Sequence, residues 1–147
     1  MADNTSCGND RVDRVLNSVL ESADEAEKVA LGVAERIGFS EEDLHKIGMA
    51  VRESVVNAVV HGNRYNARKK VHLGVSGSGD CLTVTVGDEG EGFDMKAIPD
   101  PLAEDNLLQQ SGRGIFLIRA FMDEFEVHRR TPGGTEVKLV KRLVSKQ

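Results

Sequence analysis

Three polar side chains, Glu53, Asn57 and His61, interrupt an apolar stretch at intervals of four. Steps of four turn a helix by only ~40° each, so on a helix these three share one face. A carboxylate one turn from an amide can take a proton and offer an oxygen to a magnesium ion. That ion uses few protein ligands and keeps waters and phosphate oxygens for the rest. Asn57 stands among Val55, Val56, Ala58, Val59 and Val60, where an amide must find a partner or serve a ligand. The ordinary polar edge of an amphipathic helix accounts for the same pattern. Further along, Asp88-Glu89-Gly90-Glu91-Gly92 follows a β-rich run. An aspartate at a strand end can accept a hydrogen bond from the amino group of a base, and Gly90 and Gly92 let backbone approach a ring. A simple turn is the plainer account. Ser111-Gly112-Arg113-Gly114 precedes an apolar helical run. Helix N-termini bind phosphate through backbone N–H groups, and Arg113 adds charge, although Gly112 also suits a flexible loop. No GxxxxGK[ST] occurs and no βαβ unit surrounds these glycines, which excludes a P-loop and a dinucleotide fingerprint.

The elements that must carry these residues follow from periodicity. Residues Val12–Leu20 alternate loosely and predict a first strand. Ser22 is expected to cap a helix to about Ile37, with Ala26, Val29, Ala30, Val33 and Ala34 at helical spacing and Gly38 as its stop. Ser40, with Asp43 three residues on, opens a second helix through an incomplete capping box. Its apolar stripe is Leu44, Ile47, Val51, Val55, Ala58 and Val59, and it is expected to reach His61 before Gly62-Asn63 ends it. Val71–Ser76 and Leu82–Val86 predict strands around a Gly77–Asp80 turn. The 94–110 stretch, with Pro99 and Pro101, reads as a mobile loop. A helix from Ile115 to about Met122 and strands Glu124–Arg129 and Thr135–Val140 complete the order. Grouped helices and tightly joined strands imply an α+β fold, a mixed and mostly antiparallel sheet with helices on one face.

Composition narrows the classes. The chain has 147 residues, 39% hydrophobic and 29% charged, with net charge −5. This suits one domain, residues 11–143, between a leader 1–10 and a tail 144–147. The acidic balance argues against direct nucleic-acid binding, the basic run Arg64, Arg68, Lys69, Lys70 reading as a solvated loop. No apolar run approaches the ~20 residues of a membrane span, and no signal peptide is apparent. Cys7 and Cys81 make no disulfide framework, and Cys81 reads as a buried small hydrophobe. A cytoplasmic location fits.

Each signal is weak alone, but order and spacing together are specific. A helical E-x-x-x-N, then D-x-G-x-G after a strand, then G-x-G into a helix and G-G-T before a strand resembles the GHKL ATPase superfamily. Glu53–Gly62 as ESVVNAVVHG, DEGEGFD from Asp88, SGRGIFLIRAFMDE and PGGTEV are similar to the anti-sigma-factor serine/threonine kinase branch, over roughly residues 10–143. The resemblance implies a Bergerat-type fold, ATP and Mg²⁺ as cofactors, Glu53 as general base and Asn57 as magnesium ligand. It implies Asp88 as the adenine-contacting carboxylate, with Gly90 and Gly92 shaping that pocket, and Thr135 near the adenine. Gly112 and Gly114 match the phosphate-binding lid glycines. Some relatives place a basic residue just before that SG. This chain has Gln110 there, and Arg113 is the cation of that loop.

The activity so implied is transfer of a phosphoryl group from Mg-ATP to a serine or threonine of an anti-sigma-factor antagonist. A sigma factor would be a second partner and a homodimer is compatible. Two other readings stand beside it. One is a non-catalytic module that binds ATP and captures partners. The other is a stand-alone histidine-kinase-type ATPase domain, for which His45 would have to be proposed as the phospho-acceptor although it lies inside the ATP-binding domain itself.

Overall fold

The computed structural model describes residues 10–90, 114–131 and 133–143. Gly92, Gly112, Arg113, Cys7 and the 94–110 segment lie outside the described residues. The chain runs β1 (Asp10–Asn17), α1 (Ser22–Ile37), α2 (Glu41–Asn57), a π-helical turn (Ala58–Gly62), β2 (Lys70–Ser78), β3 (Cys81–Gly87), α3 (Gly114–Phe121), β4 (Glu124–Arg129) and β5 (Thr135–Arg142). The five strands form one sheet in the order β1-β2-β3-β5-β4. Among the described residues every pairing is antiparallel, so the sheet is not the mixed, mostly antiparallel one expected from the sequence.

Register explains why the described helices cover one side of the sheet. Val75 lies opposite Val84 and Leu73 opposite Val86, and Leu16 pairs with Val71. All of these are buried in one core with Ala26, Ala30 and Val33 of α1 and Ile47, Val51 and Val55 of α2. Each of the Val, Leu and Ile side chains contributes roughly 1.5–3 kcal/mol by leaving water. The alternate positions, with Asp13 facing Gly74 and Thr85 facing Lys138, make a polar outer face, as a period of two requires. α1 lies on β2 and β3, while α2 packs between α1 and α3. Arg52 of α2 bonds Asp24 at 2.5 Å and Glu27 at 2.9 Å of α1, which fixes the two helices in rotation.

The helix starts differ from one another. Ser40 caps α2 as expected, its hydroxyl accepting from Asp43 N–H at 3.2 Å, with Glu41, Glu42 and Asp43 at the positive end of the helix dipole. Ser22 does not cap α1. It is the first helical residue, and its hydroxyl donates to the Asn17 carbonyl at 2.7 Å. The first strand is correspondingly displaced from Val12–Leu20 to Asp10–Asn17, because Val19 and Leu20 carbonyls accept from Ser22 and Ala23 N–H in a turn. Cys81 opens β3 on the outer face and is part-exposed, not the buried hydrophobe expected. The hairpin turn tightens to Gly79-Asp80, since Gly77 and Ser78 still pair with Leu82 and Cys81.

Candidate active site

The second helix does not stay α-helical to His61. After Asn57 it widens into a π turn, in which Asn63 N–H bonds the Ala58 carbonyl at 2.7 Å. Single π turns inside helices recur at functional sites. The wider turn breaks the four-residue phase. Glu53 and Asn57 remain together, half-buried one turn apart, whereas His61 is exposed. The expected three-residue face therefore holds for the first two members and not for the third.

Asn57 carries the one buried side-chain polar atom, among the described residues, with no hydrogen-bond partner: its Nδ2. An amide nitrogen so left costs roughly 1–3 kcal/mol. A turn of the amide by 180° exchanges nitrogen for oxygen at the same spot, so the position can present a donor or a metal ligand. Glu53 has no ionic or hydrogen-bonding partner among the described residues. Likewise no three His, Cys, Asp or Glu converge to hold a metal there. A cation that carries waters and phosphate oxygens, as magnesium does, would need few ligands from these residues.

Asp88 leaves the end of β3 pointing into the helix layer and is 7% exposed. Its Oδ1 accepts from Gly90 N–H at 2.9 Å and Thr135 N–H at 3.1 Å, and its own N–H donates to the Thr135 carbonyl at 2.9 Å. Burial pushes its carboxyl above the ordinary carboxylate range, against the lowering effect of those two N–H bonds and of Arg130 and Lys69 nearby. The glycines around it are steric necessities. A Cβ at Gly62 would strike the Asp88 carboxylate, one at Gly90 the Gly62 carbonyl, and one at Gly134, whose φ is +109°, the Asp88 carbonyl.

Glu89 turns the other way, onto the outer face of the sheet. Its carboxylate meets His72 Nε2 at 2.5 Å, and that hydrogen bond holds it below the ordinary range. Its N–H donates to Asn63 Oδ1 at 2.8 Å.

Of the residues singled out from sequence, the fold brings Asp88, Gly90 and Thr135 into direct contact. Gly62 then links this turn to the end of the helix that carries Glu53 and Asn57. Gly114 begins α3. Asn63 was legible only as a helix-ending residue, and Gly62 and Gly134 as members of motifs to which no contact could be assigned. The contacts that give them a place in the site reach across 26 residues from Asn63 to Glu89 and from Gly134 back to Asp88, and no local signal announces them.

Comparison with known proteins identifies the family and the fold. The model of the histidine kinase-like ATPase domain family matches residues 16–141. Serine-protein kinase RsbW of Oceanobacillus iheyensis is 32% identical over 105 residues, 67% of this chain and 66% of that protein, just under two thirds of its length. The protein of the same name from Staphylococcus epidermidis is 31% identical over 123 residues, covering 79% of this chain and 76% of its own. The anti-sigma F factor of Bacillus subtilis (strain 168) is 32% identical over 104 residues, with coverages of 69% and 71%. Among solved structures, the RsbU and RsbW domains of Rv1364c from Mycobacterium tuberculosis match with a TM-score of 0.63. That match covers 90% of this chain and 32% of the other at 20% identity, a likeness of fold. The chain belongs to the histidine kinase-like ATPase family, on the branch of the RsbW serine-protein kinases and the anti-sigma F factors.

Proposed function

We propose that this chain is a protein serine/threonine kinase that uses Mg-ATP to phosphorylate an anti-sigma-factor antagonist, and that it acts on transcription by sequestering a sigma factor. The observation that carries the reading is the Asn57 Nδ2, buried and without a partner among the described residues, one helical turn from Glu53, which has no partner among them either. The names of the relatives, serine-protein kinase and anti-sigma F factor, support a serine acceptor and a sigma-factor partner.

When bound, Mg-ATP supplies the phosphoryl group and the metal charge that neutralises it. Asn57 offers its amide oxygen to the metal. Asp88, its Oδ1 steadied by the Gly90 and Thr135 N–H groups, orients the base by accepting from the adenine amino group. Gly90, and in this reading Gly92, leave room for the ring. Gly112, Arg113 and Gly114 hold phosphate at the start of α3. Glu53 takes the proton of the acceptor hydroxyl.

The deciding experiment incubates the chain with γ-labelled ATP, Mg²⁺ and a serine-bearing antagonist, followed by phosphoamino-acid analysis. Phosphoserine or phosphothreonine on the antagonist is expected. Label on a histidine of the chain itself points instead to a histidine-kinase-type domain, and tight ATP binding with no transfer to any antagonist points to a binding module.

A further inference from the structure

Asn63 ended a helix in the sequence reading, yet it is 2% exposed and every polar atom of its side chain is used. Its Nδ2 donates to Ser18 Oγ at 2.7 Å and to the Lys70 carbonyl at 2.9 Å. Its Oδ1 accepts from Glu89 N–H at 2.8 Å. Its backbone N–H closes the π turn on Ala58, and Ser18 passes the chain of bonds on to the Lys69 carbonyl at 2.6 Å. One side chain thus joins the ends of β1 and of the π turn, the start of β2 and the Asp88–Gly90 turn.

The orientation of the amide is forced. Turned by 180°, it would set a donor against Glu89 N–H and an acceptor against the Lys70 carbonyl. Aspartate lacks the donor for Lys70, and alanine lacks both groups. The bond to Glu89 falls on the peptide unit that links it to Asp88, next to the Gly90 N–H that grips Asp88 Oδ1. On the opposite face His72 holds the Glu89 carboxylate, so the turn is pinned at main chain and side chain alike.

We propose that Asn63 is a positioning residue of the nucleotide site: by fixing the Glu89 N–H to the end of the π turn, it sets where the Asp88 carboxylate stands relative to Asn57. The proposal rests on Asp88 contacting the base, and its test separates the two. ATP affinity is measured by calorimetry for wild type, Asn63→Ala, Asp88→Asn and the double variant, with hydrogen exchange of the Glu89 and Gly90 amides read without ligand. Asn63→Ala is expected to weaken ATP about three- to tenfold, the worth of one hydrogen bond, and to expose the Glu89 amide. In the Asp88→Asn background the same change should cost almost nothing, because a position no longer used cannot be misplaced. Ser18→Ala trims the network yet spares the Glu89 bond, and should keep ATP affinity within about twofold of wild type, inside the range of a minor hydrogen-bond loss.

Should the alanine chain fail to fold, Asn63→Asp decides. It retains the acceptor for Glu89 and loses the donor for Lys70, so the melting midpoint should fall while ATP affinity and Glu89 protection persist. Affinity that falls in step with the midpoint overturns the proposal. So do additive losses in the double variant, or an unchanged Glu89 amide in Asn63→Ala. Those outcomes, with wild type still binding ATP and Asp88→Asn still weakened, leave the base contact standing. A wild type that binds no adenine nucleotide removes both.

Discussion

Asn57 and Asn63 flank the same π turn and offer the same amide, yet the fold treats them in opposite ways. Asn63 has every donor and acceptor of its side chain matched by protein, while the Asn57 nitrogen has no partner among the described residues. Burial without a partner is a cost folding does not accept for its own sake. The contrast separates a residue that builds the frame from one that, in the proposed reading, meets a ligand. The neighbouring acids repeat the lesson. Asp88 points into the helix layer with its carboxyl pushed up by burial. Glu89 points outward, held down by its bond to His72. Adjacent positions on a strand end face opposite ways, so one acid is buried against Gly90 and Thr135 and the other meets His72 on the outer face.

The strongest break in this contrast comes from the catalytic side. Glu53→Gln should slow single-turnover phosphoryl transfer by about 10²–10⁴-fold, the usual worth of a positioned base, while ATP affinity is kept. An unchanged rate removes Glu53 as the base. Asn57→Ala should differ by losing magnesium-dependent ATP binding along with transfer. It should cost less stability than Asn63→Ala, since its nitrogen gives up no protein bond.

Asp88→Asn comes next. Loss of a charged acceptor is worth roughly 1.5–3 kcal/mol, so ATP affinity should drop about tenfold or more in calorimetry. Stability should move the other way. The folded state raises the Asp88 carboxyl above its unfolded value, so its contribution is fully present below the ordinary carboxylate range and is lost as pH rises through the raised value. Asparagine has no charge to bury. In urea titrations the variant should therefore gain on wild type as pH climbs from acid to neutral, and a variant that loses ground over that interval contradicts the assignment of burial as the cause.

Asn63→Ala tests the frame directly. Leaving the Glu89 N–H and the Lys70 carbonyl unpaired should lower unfolding stability by about 1–3 kcal/mol. In a chain of this length each kcal/mol corresponds to a midpoint shift of about 2–4 °C. A melting curve that overlays wild type would show the network to be idle.

The smallest effect concerns the outer face. The Glu89 carboxyl is lowered in the fold, so its contribution is present above the ordinary carboxylate range and fades as pH falls through the lowered value. His72→Ala removes the main cause. Wild type should exceed the variant modestly near neutrality, and the gap should narrow in acid. A gap that widens on acidification has the wrong sign.

Much of the architecture was legible in advance for local reasons. The stripe Ile47, Val51, Val55 turned inward as its period requires. Ser40 capped α2 with the Asp43 N–H. The paired β-rich runs became β2 and β3 around a glycine turn. Ser22 misled because a hydroxyl that can accept as a cap can equally donate to a preceding carbonyl, and only the position of Asn17 decides. His61 misled because a spacing of four assumes an unbroken α-helix, and the π turn is closed by residues beyond it.

The sequence by itself determined the class of the molecule and the residue types of the site: an amide and a carboxylate one turn apart, an acid among glycines at a strand end, a threonine before the last strand. These are set by short-range periodicity and by side-chain chemistry, which the chain carries wherever it goes. Only the tertiary structure decided which of two asparagines is satisfied and which is left open, and which of two adjacent acids is buried. Those outcomes depend on contacts such as Asn63 with Glu89 and Asp88 with Thr135. Hydrogen bonding has a range of about 3 Å in space and none along the sequence.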